Sequence, residues 1–438
     1  WQYMVERPIE EERGMDGNSD LYSPGYFQIY LKAGEEARIS TRVAREDQTP
    51  AHEAGENKIQ PANSMDETNL WEILKASIRQ FIVQRNNNQT VIAGYPWFLD
   101  WGRDTLICLR GIIAAGYLEE AERILLEFAA FEDQGTLPNV IRGADTSNRD
   151  TSDAPLWFMA AVKDLSEHKG QDWLLQKKGE RSILEVMRSI ADHYIQGTPN
   201  GIQVDPESAL VYSPTHFTWM DTNYPAGTPR QGYPIEIQAL WYHALSFLSQ
   251  TAPDPDYWKE LAHKVQQSIN RYFVRENHDP MAAGQPYLSD CLHTEGFQPA
   301  RLAKPDDHIR PNQLFAITMG AVEDTKLAAG ILSATEELII PGAIRSLADR
   351  KTQYQLPVYH RGQLLNDPSY PYQGRYTGEE DHQRKPAYHN GTAWTWPFPS
   401  YCEALWMTYG RKAAKKASDI LASSIKIYQE GCMNHIPE

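Results

Sequence analysis

The stretch DTLICLRGIIAAGYLEEAERILLEFAAFE, residues 104–132, contains two helical patterns of different character on either side of Gly116. Residues 104–116 are apolar nearly all round, which is typical of a helix enclosed by other helices. Residues 118–132 repeat apolar side chains at i, i+3, i+4 and i+7 and carry charges opposite them, which is typical of a helix with one face in solvent. Gly116 stands where a C-terminal cap belongs. The stretch therefore predicts an enclosed helix followed by an outer one.

The same two characters recur from about residue 69 to residue 429. The periodicity predicts further helices at 69–85, 153–168, 173–196, 233–250, 256–273, 310–320, 325–339, 391–410 and 411–429, with N-caps at Asp153 and Asp256. Segments 173–196 and 411–429 have a charged face, whereas 153–162 and 391–408 are almost wholly apolar. Such alternation, with almost no strands, predicts an all-α fold with a double ring of helices. Because no short sequence period repeats, an (α/α) barrel is favoured over an α-solenoid.

The first 45 residues have a different pattern. GYFQIYLKAG (25–34) and EARISTRVA (36–44) alternate apolar and polar positions around a glycine-containing turn, which predicts a β-hairpin. Two or three strands alone are only marginally stable, so we expect them to pack on other strands. Because the chain starts without Met inside a strand-like stretch, we interpret it as part of a longer protein. Residues 1–45 are thus predicted to be a β segment, 46–68 a linker and 69–438 the helical domain.

Charge and composition limit the classes of partner. Lys and Arg number 42 against 58 Asp and Glu, a net charge of −16. An acidic surface repels phosphate backbones and anionic membranes, so nucleic acid and membranes are not expected partners, whereas a neutral substrate is compatible. No apolar run approaches the roughly 18–20 residues of a transmembrane helix, and no signal pattern opens the chain. The four cysteines are scattered without a CxxC motif, which favours free thiols in a reducing, cytoplasmic compartment.

The loops before the apolar helices carry the unusual residues. In a ring of inner helices these loops converge on one mouth, where binding and catalysis usually occur. They combine acids, arginines, asparagines and histidines with tryptophans, at Trp101, Arg103, Asp104, Arg142, Arg149, Asp153, Trp219, Asp221, Glu236, His308, Arg310, Asn312 and His389. Carboxylate and guanidinium groups bond sugar hydroxyls, and an indole packs on the C–H face of a sugar ring. The loops therefore predict a site for a neutral polyhydroxylated ring.

The sequence gives little indication of a metal-binding or phosphate-binding site. The histidines are not at helical metal-ligand spacing, no calcium loop is present, and both GxGxxG and GxxxxGK[ST] are missing from the sequence. NRDTSDAP (148–155) could be read as an acidic metal site, but Arg149 lies among the candidate ligands. We therefore expect no metal and no organic cofactor.

Seven segments together resemble one known family. They are YPWFLDWGRDT (95–105), GTLPNVIRG (135–143), NRDTSDAPLWF (148–158), TWMD (218–221), GYPIEIQALW (232–241), RPNQLFA (310–316) and YHNGTAWTWP (388–397). The set resembles the glucosidase (amylo-α-1,6-glucosidase) domain of glycogen debranching enzymes and is more distantly similar to glucoamylases, which share a W-x-R-D element. The resemblance covers roughly residues 65–438. The 1–45 segment resembles the end of the β-sandwich that precedes this domain in bacterial members.

The resemblance implies an (α/α)6 barrel that hydrolyses α-1,6-linked glucose from glycogen, limit dextrin or branched maltooligosaccharides, with inversion. It implies that Asp221 is the general acid and Glu438 the general base. Glu438 is the last residue of the sequence, and the family's continuation after that Glu does not follow here. Inversion needs two carboxyl groups about 6.5–9.5 Å apart, with water between them. Should Glu438 not serve, Glu403 and Glu236 are the next candidates.

Each of these residues also has a structural interpretation. Asp221 could be a turn or N-cap aspartate, and Arg103 and Asp104, which we expect to hold glucose hydroxyls, could instead form a salt bridge. Core packing is the alternative for the four candidate stacking platforms, and loop bracing or other structural roles are the alternative for the five candidate pocket residues. The platforms are Trp101, Trp219, Trp394 and Trp396, and the pocket residues are Arg142, Arg149, Asp153, Glu236 and His389.

Two other functions are compatible with the sequence. One is another exo-acting α-glucosidase on the same barrel, glucoamylase-like or trehalase-like, and the other is a catalytically inactive glycogen-binding protein. A comparison of α-1,4 and α-1,6 substrates separates the enzymes, and binding without product identifies the inactive protein. The sequence leaves the oligomeric state and a preceding 4-α-glucanotransferase domain undetermined.

Overall fold

The structure is a computed structural model that describes residues 1–8, 11, 17–23, 25–26, 28–37, 67–85, 87–94, 98–276, 285–428 and 436. The chain divides into two compact units, Trp1–Glu67 and Thr68–Glu438. Among the described residues, no helix combines the length and the apolar character needed to cross a membrane.

In the first unit, strand β1 (Gln2–Glu6) pairs antiparallel with β2 (Asn18–Leu21). The predicted strand at 25–34 is wrong, because its described residues are irregular up to the turn at Ala33 and Gly34. A strand persists only where its backbone groups find a partner, and no described segment pairs with this one. Most of the second predicted strand, residues 38–44, and nearly all of the predicted linker lie outside the described residues.

The helices, labelled α1 to α13, are Glu67–Phe81, Gly102–Ala114, Leu118–Phe131, Ala154–Lys169, Ile183–Gln196, Ile235–Thr251, Pro255–Tyr272, Leu314–Thr318, Thr325–Glu336, Lys385–Tyr388, Phe398–Tyr409, Ala414–Ala422 and Ser424–Ile427. The strands between them, labelled β3 to β20, are Ile82–Arg85, Asn88–Val91, Asp100–Trp101, Val140–Ile141, Lys177–Lys178, Arg181–Ser182, Gln203–Val204, Val211–Tyr212, Gly232–Pro234, Val274–Glu276, Pro286–Leu288, Cys291–His293, Lys304–Pro305, Ile339–Ile340, Ala343–Arg345, Tyr359–His360, Gln363–Leu364 and Ala393–Trp394.

Most of the predicted helices are present, but several boundaries differ. Helix α1 ends at Phe81 and the chain continues as β3, where the β-branched Ile82 and Val83 favour a strand. The 173–196 pattern divides near Gly179, and the 391–410 pattern becomes helical only from Phe398. The expectation of almost no strands was also wrong. Short strands pair within the loops, because loop backbone that is buried must satisfy its hydrogen bonds.

The burial of side chains distinguishes the enclosed helices from the outer helices. In α4, Leu156, Phe158 and Met159 are all fully buried, whereas α5 buries one face through residues such as Met187 and Ile190. Helix α2 departs from the prediction of an enclosed helix. It leaves an exposed stripe at Asp104, Cys108, Gly111 and Ala114, at intervals of three and four residues.

Ion pairs define the direction of the enclosed helices. Arg103 pairs with Asp153 near the starts of α2 and α4, and Arg110 pairs with Asp164 farther along both, so α2 and α4 run parallel. Near the end of α5, the Tyr194 hydroxyl donates to the carbonyl of Ser152, just before α4 begins. Outer helix α5 therefore ends at the side where α4 starts. The loops that carry the predicted site residues lie on that side.

Candidate active site

Arg103 is placed by a tight approach of two loops. Strand β5 pairs with β6 through Asp100 with Ile141 and Trp101 with Val140. The next residue, Gly102, donates its N–H to the carbonyl of Asn139 at 2.8 Å. A Cβ atom at Gly102 would lie 2.1 Å from the carbonyl oxygen of Pro138, so glycine is required for this approach. The WGRD sequence thereby fixes the start of α2 and the direction of Arg103.

Arg103 connects two aspartates that are distant in sequence. Its Nε lies 2.9 and 2.8 Å from the two carboxylate oxygens of Asp153, and its Nη1 lies 3.0 Å from Oδ2 of Asp221. Asp153 occupies the predicted N-cap position of α4 but makes no side-chain cap, because its carboxylate is engaged by Arg103. The Thr151 hydroxyl donates to Asp153 Oδ1 at 2.6 Å. A buried guanidinium is thus held by one buried acid through Nε, donates to Thr151 through Nη2 and donates to Asp221 through Nη1.

Asp221 lies at the boundary between protein and solvent. Its side chain is 35 % exposed, against 1 % for Asp153 and 7 % for Arg103. Protein atoms nevertheless surround it closely enough that burial raises the pKa of its carboxyl, and the Arg103 guanidinium offsets only part of this increase. The carboxyl of Asp221 is therefore enclosed by protein on one side and open to solvent on the other. A carboxyl with a raised pKa in such a place can hold a proton and donate it to a ligand.

The residues around Asp221 are each fixed by a side chain from another segment. Trp219 donates its indole N–H to Oδ1 of Asn312 at 2.7 Å, and the hydroxyl of Thr222 is 2.5 Å from Nδ1 of His389. The Thr228 hydroxyl donates to the carbonyl of Met220 at 3.0 Å. Residues 218–222, the TWMDT segment, form no helix or strand. These hydrogen bonds nevertheless give Asp221 a defined position.

A second arginine cluster lies behind this segment. Arg230 donates to both carboxylate oxygens of Glu236 and, through Nε at 2.7 Å, to Asp290. Its Nη1 also donates to the Thr218 hydroxyl at 2.9 Å. Asn312, which binds Trp219, donates to Asp290 at 2.7 Å. Arg230, Glu236 and Asp290 are each no more than 3 % exposed, so this cluster supports the TWMDT segment from within the core.

Aromatic rings surround Trp219. Its ring centroid lies 5.4 Å from that of Trp394 and 4.9 Å from that of Trp396, both in edge-to-face contact. His389 stacks on Trp394 at 5.1 Å with an interplanar angle of 14°. Burial and the nearby Arg310 guanidinium hold the pKa of His389 well below its usual value, so its imidazole is neutral. Its Nε2 is buried without a hydrogen-bond partner.

Some predicted site residues lie elsewhere or have structural partners. Arg149 donates to the carbonyls of Thr136 and Phe131. It therefore braces its loop, as the structural interpretation of this residue predicted. Arg142 is exposed in a turn after β6, and Glu236 is fully engaged by Arg230. Trp101 is partly buried in β5, and Asp104 is exposed in the first turn of α2. Glu438 lies outside the described residues.

Sequence reasoning missed the supporting residues Arg230 and Asp290. Arg230 lies in the loop TPRQG (228–232), six residues before Glu236. An arginine so close to an acid at the start of an apolar helix could have predicted this ion pair. Asp290 gave no signal, because it reaches the cluster only through the folding of a segment 60 residues away in sequence. In the described part of the chain, no group of three or more His, Cys, Asp or Glu residues is arranged to hold a metal ion.

The chain matches two protein-family models. Residues 76–438 match the family model described as amylo-alpha-1,6-glucosidase. The chain belongs to the amylo-alpha-1,6-glucosidase family. Residues 1–38 match a second model, described as the N-terminal part of glycogen debranching enzyme. Membership places the chain among the glycoside hydrolases, and a carbohydrate is the corresponding class of ligand.

Individual relatives are distant. The glycogen debranching enzyme of Saccharomyces cerevisiae is 24 % identical over 412 residues, which cover 74 % of this chain. The chain spans only 26 % of the length of that relative. Among solved structures, a glycosidase variant in complex with glucose is 12 % identical with a TM-score of 0.52, covering 84 % of this chain and 86 % of the other. The wild-type glycosidase is 12 % identical with a TM-score of 0.51, covering 85 % and 87 %. These likenesses concern the predominantly helical fold.

Proposed function

We propose that this chain hydrolyses single α-1,6-linked glucose residues from glycogen, limit dextrin or branched maltooligosaccharides, with inversion at the anomeric carbon. The observation that carries the proposal is Asp221, a partly exposed carboxyl with a raised pKa that is held by Arg103, two residues after Trp219. Family membership and the name of the yeast relative support the choice of substrate.

Asp221 is the proposed general acid. Its proton passes to the glycosidic oxygen as the bond from that oxygen to the anomeric carbon breaks, and the remaining glucan leaves as an alcohol. Water attacks the same carbon from the opposite face and loses its proton to a second carboxylate, which gives β-glucose. Arg103 then stabilises the aspartate that proton transfer leaves behind, since its Nη1 already lies 3.0 Å from Oδ2.

Glu438 is the proposed general base, and the two alternatives have less support. Both oxygens of Glu236 accept from Arg230 within the core, so water has no free oxygen to reach. Glu403 pairs with Arg110, which stands seven residues after Arg103 on α2 and so about 10 Å farther along the helix. Both glutamates are engaged by an arginine, whereas Glu438 retains the role that the family resemblance gives it.

Glucose is proposed to rest against the tryptophans. Trp219, Trp394 and Trp396 supply ring edges and faces beside Asp221, and Trp101 and Asp104 lie on either side of Arg103 in sequence. Neutral His389 is buried, contacts Thr222 and stacks on Trp394, and is proposed to position these two groups. Asp153, Glu236, Arg149 and Arg142 are proposed to position these groups or to brace their loops rather than to contact the sugar.

The finer architecture is proposed to be an (α/α)6 barrel. Successive enclosed helices α2, α4, α6, α8 and α11 pack side by side, and Arg110 and Glu403, two long side chains, connect α11 back to α2. The exposed stripe of Asp104, Cys108 and Gly111 on α2 is where a sixth inner helix would pack. Residues 1–45 are proposed to be the end of a preceding β-sandwich.

The test compares two substrates of equal size, a maltooligosaccharide bearing one α-1,6-linked glucose and its linear α-1,4 counterpart. We expect faster glucose release from the branched substrate, and Asp221→Asn controls for contaminating glucosidase. Faster release from the linear substrate would indicate a glucoamylase-like enzyme. Binding of the branched substrate with no glucose after prolonged incubation would indicate an inactive binding protein.

A further inference from the structure

Arg85 contacts both of the loop segments that position Arg103. Its Nη1 lies 3.1 Å from Oδ2 of Asp100 in strand β5, and its Nη2 donates to the carbonyl of Gly143 at 2.6 Å. Asp100 lies three residues before Arg103, and Gly143 lies two residues after the end of strand β6. One guanidinium therefore holds both members of the β5–β6 pair.

The β5–β6 pair is short and is reinforced at both of its ends. Each strand has only two residues, and a short pair of strands is marginally stable by itself. At one end Gly102 donates to the carbonyl of Asn139, and at the other end Arg85 makes the two contacts described above. Because Arg103 follows Gly102 directly, the position of Arg103 depends on both reinforcements.

Arg85 is itself fixed by its surroundings. It ends β3, which pairs with β4, and its Nε lies 4.0 Å from the carboxylate of Glu127 on α3. Its side chain is 15 % exposed, and the carboxylates of Asp100 and Glu127 are buried. Burial raises the pKa of Asp100, and the Thr90 hydroxyl and the Arg85 guanidinium offset part of this increase. Because the hairpin and both acids hold the guanidinium, Arg85 can serve as a rigid support for β5.

The contact between Arg103 and Asp221 is sensitive to small movements of β5. It is a single hydrogen bond of 3.0 Å, whereas Asp153 accepts from Arg103 through both of its carboxylate oxygens. A hydrogen bond is lost beyond about 3.5 Å, so a displacement of about 0.5 Å at the start of α2 would break the contact with Asp221 first. Burial raises the pKa of Asp221 and the Arg103 charge lowers it, so losing the contact would raise that pKa further.

We propose that Arg85 is a positioning residue for the candidate active site, which acts through the β5–β6 pair to keep Arg103 against Asp221. The proposal rests on the proposed function, because it concerns the acid of that reaction. Arg85 lies in the β3–β4 hairpin, which precedes all seven segments that carry the family resemblance. The hairpin thus contributes to the reaction as well as to packing.

The test is the pH dependence of kcat/KM for Arg85→Gln on a maltooligosaccharide bearing one α-1,6-linked glucose. Asp221 must be protonated to act as the acid, so a higher pKa moves the alkaline limb of the profile to higher pH. We expect a movement of about one pH unit, the smallest effect that an arginine usually has on a neighbouring aspartate. A variant that had only lost stability would give a lower profile with the limb in its original place, and this result would overturn the proposal.

A double variant, Arg85→Gln with Asp100→Asn, separates a movement of Arg103 from a direct effect of charge on Asp221. It removes one positive and one negative charge, so the net charge is unchanged. It also removes the buried Asp100 carboxylate together with its partner, which avoids the large destabilisation that an unpaired buried charge causes. The limb should again move to higher pH. A limb in its original position would overturn the positioning role, since Arg85 would then act on Asp221 by its charge alone.

The matched control is Arg79→Gln. Arg79 lies on α1, six residues before Arg85, and pairs with Glu120 at 3.0 Å. Its side chain is 64 % exposed, so this ion pair lies at the surface and contributes little. Its alkaline limb should coincide with that of the unaltered chain. An equal movement of the limb in Arg79→Gln and Arg85→Gln would contradict the proposal, because net charge would explain both.

A measurement without catalysis separates the positioning role from the proposed function. The pKa of Asp221 is measured by carbon NMR of the full chain with isotope-labelled aspartate carboxyl groups, and the signal is assigned by its absence in Asp221→Asn. A higher pKa of Asp221 in the double variant supports the positioning role even if no substrate is hydrolysed, in which case the proposed function alone fails. An unchanged pKa overturns the positioning role, whatever the activity.

Discussion

Two arginine–carboxylate clusters lie near each other and use the same chemical groups for different purposes. Arg103 joins Asp153 to Asp221, and Arg230 joins Glu236 to Asp290. Burial raises the pKa of both Asp221 and Glu236, and in each case the arginine offsets part of the increase. The clusters differ in access, because the Asp221 side chain is 35 % exposed and that of Glu236 is 2 % exposed.

This difference separates a group that can react from one that supports it. Solvent can reach the Asp221 side chain, whereas both oxygens of Glu236 accept hydrogen bonds from Arg230. A charge can therefore be retained in the core for positioning only when it is fully paired, and an acid can serve in catalysis only when one side stays open. The Arg103 cluster should govern rate, and the Arg230 cluster should govern stability.

The largest expected effect is on rate, in Asp221→Asn. Loss of the proton donor should lower kcat on an α-1,6-linked substrate by about 10²–10⁴-fold, as for general acids elsewhere. Hydrolysis of α-glucosyl fluoride should fall much less, because fluoride departs with little need of a proton. Steady-state kinetics on both substrates provide the measurement. Equal losses on the two substrates would contradict the acid role, and unchanged kcat would eliminate Asp221 altogether.

The next effect is on stability, in Glu236→Ala. Removing one partner of a buried ion pair leaves Arg230 undercompensated, so the free energy of unfolding should fall by about 3–5 kcal/mol. Chemical denaturation measures the change. The control is Glu207→Ala, whose carboxylate pairs with Arg301 at the surface, with exposures of 54 % and 51 %, and whose loss should change stability by about 1 kcal/mol or less. Similar values for the two variants would contradict the supporting role of the Arg230 cluster.

A smaller effect is expected where the two clusters meet, in Trp219→Phe. The change removes the indole N–H donor and leaves Oδ1 of Asn312 buried without it, which costs about 1–3 kcal/mol in stability. Because Trp219 adjoins Asp221, kcat/KM should fall as well. Trp406→Phe, at a 49 % exposed position on α11, is the matched control. If Trp219→Phe and Trp406→Phe have the same free energy of unfolding and the same kcat/KM, the hydrogen bond to Asn312 has no role in positioning.

The smallest effect is a shift in pH dependence, in Asp153→Asn. The negative charge of Asp153 raises the pKa of Asp221, and its removal also leaves Arg103 free to pair more fully with Asp221. Both changes lower the pKa of Asp221, so the alkaline limb of kcat/KM should move to lower pH. Asp150→Asn, in the same loop but exposed, should leave the limb in place. A shift to higher pH in Asp153→Asn would contradict the sign of this argument.

Sequence periodicity located most of the helices because apolar spacing reports which faces are buried, although α2 is less enclosed than predicted. It failed where local preference competed with loop packing, as at Ile82–Arg85, and at 25–34, where a strand pattern has no described partner. For the site, Arg103 and Asp221 were candidates because the WGRD and TWMD segments resemble a known family, and the structure shows that the two side chains form an ion pair. Arg230 and Asp290 could not be linked in advance, because the contact depends on how distant loops meet.

The role of Asp221 as acid in an inverting hydrolysis is tested most directly by proton NMR of the first minutes of reaction. The substrate is a maltooligosaccharide that bears one α-1,6-linked glucose, and the anomeric signals are followed before mutarotation. Under inversion, free β-glucose appears first and the α-anomer follows only by mutarotation. Initial release of α-glucose would mean retention of configuration, and the mechanism proposed for Asp221 and its distant base would be wrong.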